Sequence, residues 1–249
     1  MEPWENKTDD TRTTDTLPTF FICCEDQASE YVYLRYFETP LIKINLIGGQ
    51  KSKMANVINA VMHCLDEKVM KYVDGVPTLA GTDIEVWCVF DRDVEDNTAN
   101  RAKSNTEFDL AISIALDRGL KVAWSNDAFE LWVLLHFEDL DPANPACANR
   151  QHYYDRLTDI FRTLPSPGPD LAKALAYNHF SYKDSLKREV NFRTIVRPEL
   201  LHRTHKAIER AQALARHHGT ALPFHQRAPC TLIYELIGEL LRVGKKKLV

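Results

Sequence analysis

Apolar residues follow two rhythms along this chain. Short unbroken runs, "TFFICC" (19–24), "LIKINLI" (41–47), "DIEVWCVFD" (83–91) and "LKVAWS" (120–125), read as buried strands. Between them the period lengthens. "SEYVYLRYF" opens at Ser29, an N-cap residue type, with Glu30 in the first turn. Met54, Val57, Ile58, Val61, Met62 and Leu65 recur at helical spacing within "MANVINAVMHCLDEKVMKY" (54–72), and Asp74, Gly75 and Pro77 then mark a loop. Phe108, Ile112, Ala115 and Leu116 share the face of another helix, stopped by Gly119. "DAFELWVLLHFEDL" (127–140) gives a fourth, broken by Pro142 and Pro145. Strand and helix alternate four times, which predicts a parallel sheet with helices on both sides. After Pro145 the expected elements are helices only, over 151–163, 170–190, 198–218 and 229–243. The pattern divides the chain into a polar tail expected to be disordered (1–18), an α/β domain (19–141) and a basic helical region packed on it (142–249).

Composition sharpens this in three places. With 249 residues, 45% of them hydrophobic, the chain can bury a sizeable core. It holds no apolar run of about 18 residues, and its polar, acidic start has no signal-peptide pattern, so a cytoplasmic location is expected. The cysteines at 23, 24, 64, 88, 147 and 230 form no C-x-x-C pair, which predicts buried free thiols rather than a zinc site. The net charge of −4 hides an asymmetry: 15 Lys/Arg against 6 Asp/Glu from residue 171 onward, and 16 against 29 before it. An acidic front and basic back suit a metal in one part and a polyanion on the other.

In a parallel sheet, ligands bind beyond the carboxyl ends of the strands. The first strand here ends at Glu25, the third at Asp91 and Asp93, the fourth at Ser125-Asn126-Asp127. Asp91 and Asp93 share a side if the extended geometry persists. Gathered carboxylates repel unless a cation sits between them, and Mg²⁺ or Mn²⁺ bound by Glu25, Asp91 and Asp93 would supply it and activate water toward a phosphodiester. Asp127-Ala128-Phe129-Glu130 also fits a capping box, and Glu30 suits a helix N-terminus. Trp124 and Trp132 read as core, and His136 as a helix-end or core histidine. Lys183, Lys187 and Arg188 sit at near-helical spacing and, with Arg193 and Arg197, form a candidate phosphate-binding face. Lys183 would then place an ammonium near the leaving phosphate.

These residues resemble the RloB-like family, also called the AbiLi type. Cys24-Glu25-Asp26-Gln27-Ala28-Ser29-Glu30 is similar to its C-E-G-x-x-T-E stretch, with Asp26 in place of Gly and Ser29 in place of Thr. Asp91 and Asp93 match its D-x-D. Ser125, Asn126, Phe129, Glu130, Trp132, Leu134, Leu135, His136 and Phe137 match its S-N-P-x-F-E-x-W-L-L-L-H-F, with Asp127 in place of Pro. Pro229-Cys230-Thr231 resembles its C-terminal end. The resemblance implies a Toprim-like parallel sheet flanked by helices, followed by a mainly helical part. It also implies Mg²⁺-dependent nuclease chemistry on DNA or RNA, transfer RNA included, in bacterial abortive-infection defence. The implied partner is an RloA-like ATPase encoded alongside; self-association is left open. Glu25 would be the catalytic acid or base, Asp91 and Asp93 metal ligands, and Glu30 and Glu130 supporting residues.

Two other readings stand beside it. Asp91-Arg92-Asp93-Val94 fits the haloacid-dehalogenase phosphatase rule, although that motif belongs after the first strand. The acids would alternatively hold a structural ion in a non-catalytic regulator of an ATPase.

Overall fold

Alternation along the apolar runs sends their side chains to two opposite faces, and each face is covered by its own helices. The computed structural model describes residues 17–50, 52–81, 83–94 and 97–248, so nearly all of the expected N-terminal tail lies outside the described residues. The chain runs β1 (Thr19–Cys24), α1 (Ser29–Arg35), β2 (Lys43–Ile47), α2 (Lys53–Asp66), a hairpin of β3 (Met70–Val73) and β4 (Val76–Leu79), β5 (Ile84–Asp91), α3 (Thr98–Asp117), β6 (Lys121–Asn126) and α4 (Glu130–Leu135). Then follow α5 (Arg150–Thr163), α6 (Pro169–Leu175), α7 (Glu189–Asn191), α8 (Arg197–Leu201), α9 (Thr204–His218), β7 (Cys230–Thr231) and α10 (Ile233–Gly244).

The main sheet has the order β2-β1-β5-β6-β7 and is parallel except for β7. All four strands expected from the apolar runs are present, so the α/β architecture follows from the sequence. Phe20, Ile22, Cys24, Ile44, Leu46, Trp87, Val89 and Ala123 face α1, α4, α5, α9 and α10. Phe21, Cys23, Val86, Cys88, Phe90, Val122 and Trp124 face α2 and α3. Adjacent Cys23 and Cys24 thus serve opposite cores, and all six cysteines are free and buried. Trp124 and Trp132 are core residues.

Three elements depart from the expected pattern. The helix expected to reach residue 72 ends at Asp66 and gives way to the β3–β4 hairpin. Asp74 and Gly75 both take positive φ there, 51° and 80°, the conformation a tight two-residue hairpin turn demands. Beyond Pro145 a strand does occur: β7 pairs antiparallel with β6, so the last helix begins at Ile233 rather than 229. The expected helix over 170–190 is broken: α6 ends at Leu175, a wide i→i+5 turn follows at Tyr182–Leu186, and a second one lies beyond it at Phe192–Val196.

Connection order places the site. β1 passes to β2 under α1 on one face, and β2 crosses back to β5 under α2 on the other, so the winding reverses beside β1 and β5. That reversal opens a crevice at the carboxyl ends of these two strands. Asn56 of α2 pins them together: its Nδ2 donates to the Cys23 and Val89 carbonyls, at 3.0 Å each. Asn56→Ala leaves those bonds unmade in a fully buried place and is expected to cost about 1–3 kcal/mol, read as a lowered urea midpoint at unchanged slope. His136 ties α1, α4 and α9 together. Its Nε2 lies 3.1 Å from the Tyr33 hydroxyl, which also reaches Thr204, and its Nδ1 lies 2.8 Å from the Trp132 carbonyl. Burial lowers its pKa to about 3, so it is a neutral core histidine, as the sequence suggested.

Candidate functional site

The carboxyl end of β1 carries Glu25, whose Oε2 accepts from the Asp91 N–H at 3.1 Å. Asp91, the last residue of β5, accepts through Oδ2 from the Phe129 N–H at 2.8 Å, while its Oδ1 is buried and unpartnered. A single relay therefore joins the ends of β1 and β5 to the start of α4. Glu30 is 1% exposed and accepts from the Asp26 N–H at 3.2 Å. The α1 N-terminus is held by Asp26, whose carboxylate accepts from the Ala28 and Ser29 N–H groups at 2.8 Å each. Ser29, expected as the cap, is instead the first helical residue, with a buried, unpartnered hydroxyl. Asp26 does not need the positive φ that a glycine would supply. That freedom is used instead at Gly49 (φ 79°), where a Cβ would crowd the Gln27 side chain.

Asp93 separates from Asp91. The strand ends at Asp91, and Asp93 turns to φ 53°, its side chain 43% exposed. Its Oδ1 takes Arg150 Nη2 at 2.8 Å and its Oδ2 takes Lys53 Nζ at 3.5 Å. Arg150 is also clamped by buried Asp127, through Nε at 2.9 Å and Nη2 at 2.7 Å. Asp127 accepts in addition from the Val94 N–H. The capping-box reading fails for this reason: the Asp127 side chain is spent on Arg150 and Val94, and α4 has no side-chain cap.

Glu130 turns to the helical half of the chain. Lys187 Nζ lies 2.8 Å from its Oε1, an ion-pair distance at an angle outside hydrogen-bond geometry. Lys187 also donates to the Tyr154 hydroxyl at 3.3 Å, and both Lys183 and Lys187 stand over the Tyr154 ring, at 5.7 and 5.4 Å. These two lysines share a side, as the spacing suggested, although on a wide turn rather than an α-helix. Arg188 is exposed at the start of α7, Arg193 pairs with Glu189, and Arg197 donates to the Val32 carbonyl at 3.4 Å. The structure thus joins Glu25, Glu30, Asp91, Glu130 and Lys187 around the crevice, with Asp93 on its rim.

Burial sets the electrostatics. It raises the Glu25 pKa to about 7; Asp93 adds to the rise, while Lys53 and the Asp91 N–H oppose it. Asp91 lies well above the ordinary carboxylate range through burial, then through Glu30, Asp93, Glu130 and Glu25. Glu30 rises likewise, through burial and then Asp26. Burial opposes the charge on Lys187, but Glu130 and Tyr154 more than offset it and hold its pKa above the ordinary lysine value.

All three carboxyls bind protons more tightly folded than unfolded, so their contribution to stability is full below the unfolded values, 4.5 for Glu25 and Glu30 and 3.8 for Asp91, and fades as pH rises through the folded values. For Glu25 the window runs from pH 4.5 to about 7, and the loss is on the order of 3 kcal/mol. Urea unfolding of the metal-free chain is expected to show lower stability at pH 8 than at pH 5.5, and Glu25→Gln to flatten that slope.

No three His, Cys, Asp or Glu side chains among the described residues stand as a ready metal cage. Two observations nevertheless fit a divalent cation. Asp91 Oδ1 is an orphaned buried oxygen, and the mutual proximity of Glu25, Glu30, Asp91 and Glu130 raises the pKa of Glu30 and Asp91. Asp93 is instead neutralised by Lys53 and Arg150.

Sequence reasoning missed Lys53, Asn56, Arg150 and Tyr154. For the first two a signal existed: they open the buried stripe of α2 at i and i+3, polar residues where apolar ones belong. Arg150 and Tyr154 lie on a helix whose place against the sheet no local pattern discloses.

Fold and site together define an α/β protein with a carboxylate-lined crevice at the switch point of a mostly parallel sheet. A family model for RloB-like proteins matches residues 20–240, and the chain belongs to that family. No curated protein and no solved structure matches it. No helix among the described residues is long and apolar enough to cross a membrane.

Proposed function

We propose that this RloB-like protein is a Toprim-like, Mg²⁺- or Mn²⁺-dependent nuclease that hydrolyses DNA or RNA. The observation that carries the reading is the convergence of Glu25, Glu30, Asp91 and Glu130 on one crevice, with an oxygen of Asp91 left unpartnered. Glu25 and Asp91 would hold the cation, joined by Asp93 if it leaves Lys53 and Arg150. When bound, the ion supplies charge neutralisation at the phosphodiester and a more acidic water. Glu25, raised to about 7 by burial in the metal-free chain, would give up its proton as the cation binds, and would meet the ion through the oxygen not bonded to the Asp91 N–H. Lys183, Lys187, Lys53 and Arg150 bring positive charge to the same edge, where phosphates of the substrate would lie. Arg188, exposed beside Lys187, would add to that charge, and Arg193 and Arg197 would join if substrate displaces their present partners, Glu189 and the Val32 carbonyl. The same reading carries a role in antiphage abortive infection beside an ATPase encoded nearby.

The test is incubation of the purified chain with Mg²⁺ or Mn²⁺ and a panel of DNA, transfer RNA and other RNA, alone and with that ATPase. Cleavage that needs the metal and disappears in Asp91→Asn supports the reading. A folded chain that cuts none of the panel under any of these conditions overturns it.

A further inference from the structure

Lys53 is the first residue of α2, yet its side chain is only 9% exposed. Both facts run against stability. A cation is unfavourable at a helix N-terminus, and a buried ammonium needs partners for its N–H donors. Among the described residues it has one, Asp93 Oδ2, at a long 3.5 Å. The ammonium is also close enough to Glu25 to be the strongest of the charges acting on it. Lys53 thus stands between Glu25 and Asp93 with donors to spare.

The acids of the crevice are unequally engaged. Asp93 and Asp127 are tied to Arg150 at 2.8 and 2.7 Å, and Glu130 to Lys187 at 2.8 Å. Glu30 is buried and takes the Asp26 N–H. That leaves Glu25 and Asp91, joined through the Asp91 N–H, with an orphaned oxygen on Asp91. Two carboxylates suit one divalent ion, which commonly takes one or two. In two-ion phosphodiester sites the ions stand about 3.5–4 Å apart. The acid that would hold a second ion here is Asp93, and fixed cations already neutralise it.

We propose that Lys53 is the second cation of this site. The chain binds one divalent ion, through Glu25 and Asp91, and the substrate phosphate lies between that ion and the Lys53 ammonium. Asp93 stays with Lys53 and Arg150. The inference rests on the nuclease reading above and goes further by fixing the number of ions and the group that replaces the second. A phosphate oxygen gives Lys53 the partner it lacks. The ammonium rides on a helix that Asn56 pins to β1 and β5, so it needs little reorganisation when substrate arrives.

Calorimetric titration of the full chain with Mn²⁺ is expected to show one bound ion, and its electron paramagnetic resonance spectrum no coupling between neighbouring ions. Asp91→Asn is expected to lose that ion. Lys53→Met is expected to bind Mn²⁺ about tenfold more tightly, because a like charge has left the side of Glu25. With Ca²⁺ as the ion, the same variant is expected to bind single-stranded DNA and RNA oligonucleotides about tenfold more weakly. Lys53→Gln takes its place if Lys53→Met melts below the parent chain. A lysine that served packing alone would not move the two affinities in opposite directions. Two Mn²⁺ ions per parent chain, or metal and oligonucleotide affinities of the Lys53 variant that stay put or move together, would overturn the proposal and leave the nuclease reading standing. A parent chain that binds no ion, or an ion that persists in Asp91→Asn, would remove that reading and this inference with it.

Discussion

Asp91→Asn is expected to lower metal-dependent cleavage by about a hundredfold to a thousandfold while leaving the chain at least as stable as before. Both halves follow from one geometry. The Asp91 Oδ2 accepts from the Phe129 N–H at 2.8 Å, and an asparagine oxygen can keep that bond, so the start of α4 stays in place. The oxygen lost to chemistry is Oδ1, buried without a protein partner. Removing the charge also relieves repulsion from Glu30, Asp93, Glu130 and Glu25, each of which pushes the Asp91 pKa up. Activity and stability thus move in opposite directions. Cleavage assays beside urea unfolding of the same preparation read both. Loss of activity together with loss of fold would mean that Asp91 is a structural residue.

Lys187→Met is expected to destabilise the chain by about 3 kcal/mol, the low end for an ion pair broken by loss of one partner, because water reaches part of the lysine. Glu130 has only a 2% exposed side chain, whereas that of Lys187 is 34% exposed. Without the ammonium the Glu130 carboxylate is left buried among Asp91, Glu30 and Tyr182. The double variant Glu130→Gln, Lys187→Met is expected to recover most of the loss, since neither charge is then stranded. Denaturation of the two singles and the double gives the coupling energy directly. An additive pair of effects would show that the contact contributes nothing. A strong coupling also means that this pair helps to fasten the helical half of the chain to the acid crevice, beside Arg150 on Asp93 and Asp127, so Lys187 variants should loosen the wide turn at Tyr182–Leu186.

The acids were legible because of where they stand in the pattern. An unbroken apolar run that ends in a carboxylate puts that carboxylate at the mouth of a parallel sheet, and Glu25, Asp91 and Asp93 were found in this way. For Asp127 and Glu130 the sequence left a capping box open beside a functional role, and the capping box is not formed. The D-x-x-E spacing is real, but long-range partners, Arg150 and Lys187, outbid the local backbone for both side chains. Asp93 was placed beside Asp91 by strand parity. Its positive φ ends that parity, and the side chain goes to two cations instead.

Sequence by itself determined the four parallel strands, the two buried faces, the free core cysteines and the acids at the strand ends. All of these follow from period and position, which are local properties of the chain. Only the tertiary structure decided which charge meets which: Lys53 and Arg150 on Asp93, Lys187 on Glu130, Asn56 across β1 and β5. It also decided that Cys230 and Thr231, far along the chain, would pair with the end of β6. Such pairings depend on how distant helices pack, and packing is fixed by the summed burial of many side chains, a quantity that no short stretch of sequence contains.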